Sequence, residues 1–123
     1  MCNPCRDEGI AKLANRVQKL LRQVTDLHQV AIEAVYFNFM EEATVQTSLR
    51  EVRKAAAACK QAYTIIEDAE GLLSRMEKMR VPRETLLAAK RGYVQTLDTS
   101  ETVFELVRKA FAAIRARIIA EGL

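Results

Sequence analysis

The stretch Ile10–Ala34 reads IAKLANRVQKLLRQVTDLHQVAIEA. Its apolar residues Ile10, Leu13, Val17, Leu20, Val24, Leu27, Ala31 and Ala34 form an unbroken series of alternating steps of three and four. That spacing lays one side chain after another along a single stripe of an α-helix. Neither glycine nor proline occurs between Ile10 and Glu70, so nothing in that range forces a break. The pattern predicts an all-helical chain. It carries no signature of function.

Working outward, the lead Met1–Arg6 reads as flexible, with Asp7 as the N-cap of the first helix and Glu8 favourable near its positive end. This helix is expected to run to about Met40. The next boundary falls at Glu41–Thr47, where Ser48 and Glu51 form a candidate capping box ahead of Leu49 and Val52. Thr44 and Thr47 add weak helix formers there. A rival reading continues the Ile10 register through Val45, Val52, Cys59, Ile66 and Leu73 as one helix of about 70 residues, with Ala55, Ala62, Ala69 and Met76 on the partner positions. The polar interruption by Asn38, Glu41 and Ser48 favours a hairpin.

The second helix is expected over Leu49–Met79, with Gly71 inside it at a cost of about 1 kcal/mol relative to alanine. Val81-Pro82 is its stop, because proline disfavours helix in the residue before it and suits the first turn of the next. The third helix starts near Pro82 and reaches about Ala120. Its stripe is Leu86, Ala89, Tyr93, Leu97, Ser100, Phe104, Val107, Phe111, Ile114 and Ile118, with a stutter at Tyr93 beside Gly92. A break near Asp98–Ser100 is the alternative that would make four helices of three. The expected architecture is a single domain over residues 1–123: an antiparallel up-down-up bundle of three long helices with coiled-coil-like packing.

Composition agrees with that class. Half the residues are hydrophobic and 28% are charged, which is globular rather than disordered. There are three tyrosines, four phenylalanines and no tryptophan, so the core rests on Leu, Ile, Val, Ala and Met. The N-terminus shows no secretory pattern and no uninterrupted apolar run is long enough to span a bilayer. Three cysteines, an odd number, suit a reducing compartment, and a cytoplasmic location is expected.

Few residues suggest chemistry. Cys2 and Cys5 form C-x-x-C, a zinc half-site or redox pair, but tetrahedral zinc needs two more ligands. Only Cys59 and His28 remain, each near the middle of a helix. A lone histidine on the border of an apolar stripe is read as a satisfied boundary residue, and Cys59 as a small buried hydrophobe. Glu67, Asp68 and Glu70 lack the Glu-x-x-His pairs of a di-metal bundle and read as solvated surface. No phosphate-binding glycine loop or hydrolase motif occurs. A non-enzyme with no cofactor is expected.

Charge and apolar distribution say more. In the hairpin arrangement residues 6–24 and 75–91 share one end of the bundle. They hold eleven Lys or Arg against four acids, net +7, while the rest of the chain is net −4 within an overall +3. Lys12, Arg16, Lys19, Arg80, Arg83 and Arg91 make this end a candidate phosphate-backbone contact. The opposite end is apolar on every face over Ala34–Met40 and again over Val103–Ala120. Tyr36, Phe37, Phe39, Met40, Phe111, Ile118 and Ile119 are therefore the expected interface residues of a protein–protein assembly module, expected to be a homodimer. Nucleic-acid binding at the basic end and a Cys2/Cys5 metal or redox site are the alternatives.

Overall fold

A computed structural model describes residues 3–37 and 44–122, with side chains from Glu8 onward. Three helices account for nearly all of it: α1 (Asn3–Tyr36), α2 (Val45–Lys78) and α3 (Arg83–Glu121). The single-rod reading is excluded, because α2 folds back along α1. The core residues fix the directions. Ile10, Leu13 and Val17 lie with Leu72, Leu73 and Met76; Val24 lies with Ala62 and Ile66; Ala31, Ala34 and Val35 lie with Val52 and Ala55. Positions rise along α1 as they fall along α2, so the pair is antiparallel. The α3 residues Leu86, Ala89, Tyr93, Leu97, Val107 and Ile114 follow α1 in the same order. The bundle is up-down-up.

Each predicted stripe faces inward. Val17, Val24 and Ala31 are fully buried, as are Val52, Ala55, Ala69 and Met76 on α2. Much of what α2 contributes is small: Ala55, Ala58, Cys59, Ala62 and Ala69. Larger residues from its neighbours fill the space between.

Several boundaries differ from expectation, each for a local reason. α1 begins at Asn3 rather than behind an Asp7 cap. Pro4 accounts for this: it has no N–H to leave unpaired and its φ already suits a first turn. α1 ends at Tyr36, short of the expected Met40. α2 starts at Val45, capped by Thr44 and not by Ser48. The Thr47 N–H donates to Thr44 Oγ1 at 3.1 Å and the Thr44 N–H donates back to Thr47 Oγ1 at 2.9 Å, a reciprocal box in which threonine replaces the usual glutamate. Ser48 is buried in the first turn of α2, and Glu51 instead pairs with Lys54 at 3.1 Å.

The expected break near Asp98–Ser100 is absent, and α3 runs unbroken from Arg83 to Glu121. The residues that suggested a cap are satisfied inside the helix. Thr96, Thr99 and Thr102 donate their hydroxyls to the carbonyls of Gly92, Gln95 and Asp98, four residues back. Gly71 lies within α2 in open space, while at Gly92 an added Cβ would meet Leu21 Cδ1 at 3.4 Å. The α2–α3 turn is a Schellman motif. The Arg80 N–H donates to Glu77 O, the Val81 N–H donates to Met76 O, and buried Val81 joins the cluster that holds Met76. Arg80 occupies the left-handed position at φ 55°, where glycine is the usual residue.

Candidate functional site

The expected apolar end is assembled in part. Ala34 and Val35 near the end of α1 share a cluster with Ile114, and Phe111 and Ile118 pack on it half-buried. Phe37 is also half-buried. Tyr36 and Ile119 remain in solvent at 63% and 75% exposure. Phe39 and Met40 lie outside the described residues. Of the seven expected interface residues, then, Tyr36 and Ile119 are exposed, and Phe111 and Ile118 are partly used by the protein's own core.

The basic end forms as expected, because the lower core cluster unites Ile10–Val17 with Leu72–Ala89. Lys12 lies 4.0 Å from Glu8, and Lys90 is ion-paired with Glu77 across α2 and α3. Arg16, Lys19, Arg22, Arg75, Lys78, Arg83 and Arg91 are exposed, with no ion pair among the described residues. Met79 and Leu87 are exposed at the same end, so it is not purely cationic.

The Cys2/Cys5 motif cannot be placed: Cys2 and the Cys5 side chain lie outside the described residues. Among the described residues, no group of three or more His, Cys, Asp or Glu is arranged to hold a metal. Cys59 is buried, which pushes its thiol pKa up and suits the small-hydrophobe reading. Glu67, Asp68 and Glu70 are exposed as expected. Tyr93 has a raised pKa, first from burial and then from the charge and hydrogen bond of the Glu70 carboxylate.

His28 is more deeply placed than a stripe-border position suggests. It is 4% exposed and its Nε2 lies 2.7 Å from Ser100 Oγ, itself 2% exposed. Burial lowers its pKa, so the imidazole is held neutral. The pair resembles the base and nucleophile of a hydrolase only in composition. Both partners are mid-helix, and Ser100, 2% exposed, lines no groove, so its Oγ is not presented to a reacting carbonyl. A shallow polar notch between α1 and α3, lined by Thr25, Gln29, Gln95, Thr96 and Thr99, lies over the histidine.

A surface that the sequence pattern left unmarked runs along the α2–α3 side. Tyr63 of α2 stacks on Phe104 of α3 with ring centroids 4.4 Å apart, and the two share a groove with Glu101, Glu105, Arg108 and Phe111. The Glu105 carboxylate accepts from Arg108 Nη2 at 2.7 Å, and that hydrogen bond holds its pKa down. Val94 and Leu87 stand one and two heptads before Glu101, on the same line of α3, and both are exposed. The signal was present as apolar residues seven apart off the buried stripe. No helix among the described residues is long and apolar enough to cross a membrane. Comparison of the chain with protein-family models, with curated proteins and with solved structures finds no match.

Proposed function

We propose that this chain is a non-catalytic helical assembly module that works through protein–protein contacts and pairs with a second copy of itself. The observation that carries the proposal is the exposure of Ile119 and Tyr36 at the end of the bundle where Phe37, Phe111 and Ile118 are only half-covered. These are large apolar or aromatic groups, the kinds of side chain that anchor interfaces. The three stripes are already satisfied against each other, and Ile119 stands outside them at 75% exposure. Burying a side chain such as Ile119 is worth about 1.5–3 kcal/mol.

The test is mass in solution by light scattering. The wild type is expected at twice the 13.9 kDa chain mass, and the combined change Tyr36→Glu and Ile119→Lys is expected to shift the equilibrium toward the single chain with helicity unchanged. A wild type that stays at chain mass at the highest attainable concentration overturns self-association.

A further inference from the structure

We infer that the basic end of the bundle is a second contact surface, which takes the phosphodiester backbone of a single-stranded nucleic acid without regard to base sequence. This surface is separate from any self-pairing contact, because Tyr36 and Ile119 lie at the opposite ends of α1 and α3. Its centre is the solvent face of α1. Between Glu8 and Asp26 the helix carries no acidic residue. Every exposed residue from Lys12 to Gln23 is a cation or an amide, with Asn15, Gln18 and Gln23 interleaved among Lys12, Arg16, Lys19 and Arg22. Steps of four, three and three keep those four cations on one side of the helix. Arg16 to Arg22 covers about 9 Å of it. Lys, Arg, Asn and Gln are side chains that hold phosphate and sugar oxygens.

These cations are not engaged by the protein itself. Among the described side chains of residues 8–24 and 75–91 the carboxylates are Glu8, Glu77 and Glu84. Glu8 lies 4.0 Å from Lys12 and Glu77 is ion-paired with Lys90, which leaves Glu84. Against it stand Arg16, Lys19 and Arg22 of α1, Arg75 and Lys78 of α2, and Arg83 and Arg91 of α3. All are exposed and without an ion pair among the described residues. The lower core cluster brings the three sets to one end of the bundle. A polyanion placed there gives up its own counterions to them, which is the sequence-independent part of nucleic-acid binding.

The distribution over three helices selects the form of the polyanion. The solvent faces of three packed helices point away from one another. A flat bilayer, or a duplex stiff over about 50 nm, therefore meets one of them at a time. A flexible single strand passes from α1 to its neighbours and uses the cations of more than one helix. A lipid surface is disfavoured on a second count. Interfacial binding needs apolar groups to insert, and the ridge from Lys12 to Gln23 exposes none. Met79 and Leu87, the exposed large apolar residues of this end, belong to α2 and α3. No aromatic residue occurs in 6–24 or 75–91, so bases find no stacking platform and the contact reads charge, not sequence.

The experiment follows the fluorescence anisotropy of a labelled single strand of about 16 nucleotides, titrated with the full chain between about 50 and 200 mM salt. Binding is expected to weaken with salt, log K falling by about 0.7 per unit of log salt for each phosphate engaged. Arg16→Gln with Lys19→Gln and Arg22→Gln removes three cations from the ridge. This variant is expected to bind about tenfold or more weakly at the lowest salt, with a slope shallower by about 2. Arg50→Gln with Arg53→Gln and Lys109→Gln removes the same charge from exposed positions in the other half of the bundle. It is expected to change the affinity by less than about threefold. Circular dichroism checks that both retain helicity. Equal losses in the two variants, or no binding by the wild type at the lowest salt, overturn the assignment. So does tighter binding, per anionic group, to a duplex of the same length, to vesicles of anionic lipid or to polyglutamate. Should the ridge variant lose helicity, Lys19→Gln alone replaces it, and a slope that does not fall by about 0.7 overturns the site.

Discussion

Replacing Ser100 by alanine removes one oxygen from the interior and leaves the His28 imidazole without its partner at 2.7 Å. Both residues are almost fully buried, so the imidazole loses a partner inside the bundle. A buried polar group left unsatisfied costs about 1–3 kcal/mol. For a chain of this size that corresponds to a fall in melting temperature of roughly 3–6 °C per kcal/mol. The reverse change, His28→Leu, should be milder. The freed Ser100 hydroxyl has a ready acceptor four residues back, as Thr96, Thr99 and Thr102 already demonstrate on the same helix. The double change should cost little more than His28→Leu alone, giving a coupling of about 1–2 kcal/mol in a double-mutant cycle followed by thermal or urea unfolding. The pH dependence has a definite sign. Burial holds the folded-state pKa of His28 below 6.5. Above pH 6.5 the imidazole is neutral in both states and its full contribution is present. As pH falls below 6.5 the unfolded chain binds the proton first, so stability declines until the folded pKa is passed. This part of the slope should vanish in His28→Leu. Additive single changes, within about 0.3 kcal/mol, or an unchanged slope in His28→Leu, would refute the pairing as a determinant of stability.

Three further outcomes are expected from unfolding measurements. Gly71→Ala should stabilise by about 1 kcal/mol, because the glycine is inside α2, exposed and surrounded by open space. Thr44→Ala removes the side-chain half of the α2 cap and should cost about 1 kcal/mol; no loss would mean that the cap is redundant. Met76→Ala, at a fully buried position in the lower cluster, should cost about 2–5 kcal/mol, depending on how far Leu13, Leu73 and Val81 collapse into the space.

The stripes on all three helices were legible because burial in a bundle obeys a single rule, repeated every three or four residues, and Val17, Val52 and Val107 follow it. The stop at Val81-Pro82 was legible for the same local reason. Caps were harder. Ser48-Glu51 matches the common box better than Thr44-Thr47 does, yet burial of Ser48 decides against it, and burial depends on the partner helix. The run Asp98–Ser100 looked like a helix start because polar residues favour caps, but a hydroxyl that reaches its own preceding turn removes the need. His28 and Ser100 are 72 positions apart, and no local pattern joins them. The Tyr63–Phe104 contact was hidden in the same way, whereas the joining of the basic ends followed directly from the reversal of the chain.

The buried His28–Ser100 bond at mid-bundle has a consequence for uniqueness. A seam of Leu, Val, Ile and Ala repeats every heptad, so sliding α3 by seven residues along α1 would still match oil with oil. A slip that set Val107 in place of Ser100 would leave the His28 ring nitrogen facing hydrocarbon, and the opposite slip would trade the serine hydroxyl for Tyr93, whose own hydroxyl is engaged by Glu70. The imidazole and hydroxyl thus act as an index mark on a sliding scale, singling out one alignment among several of similar greasiness.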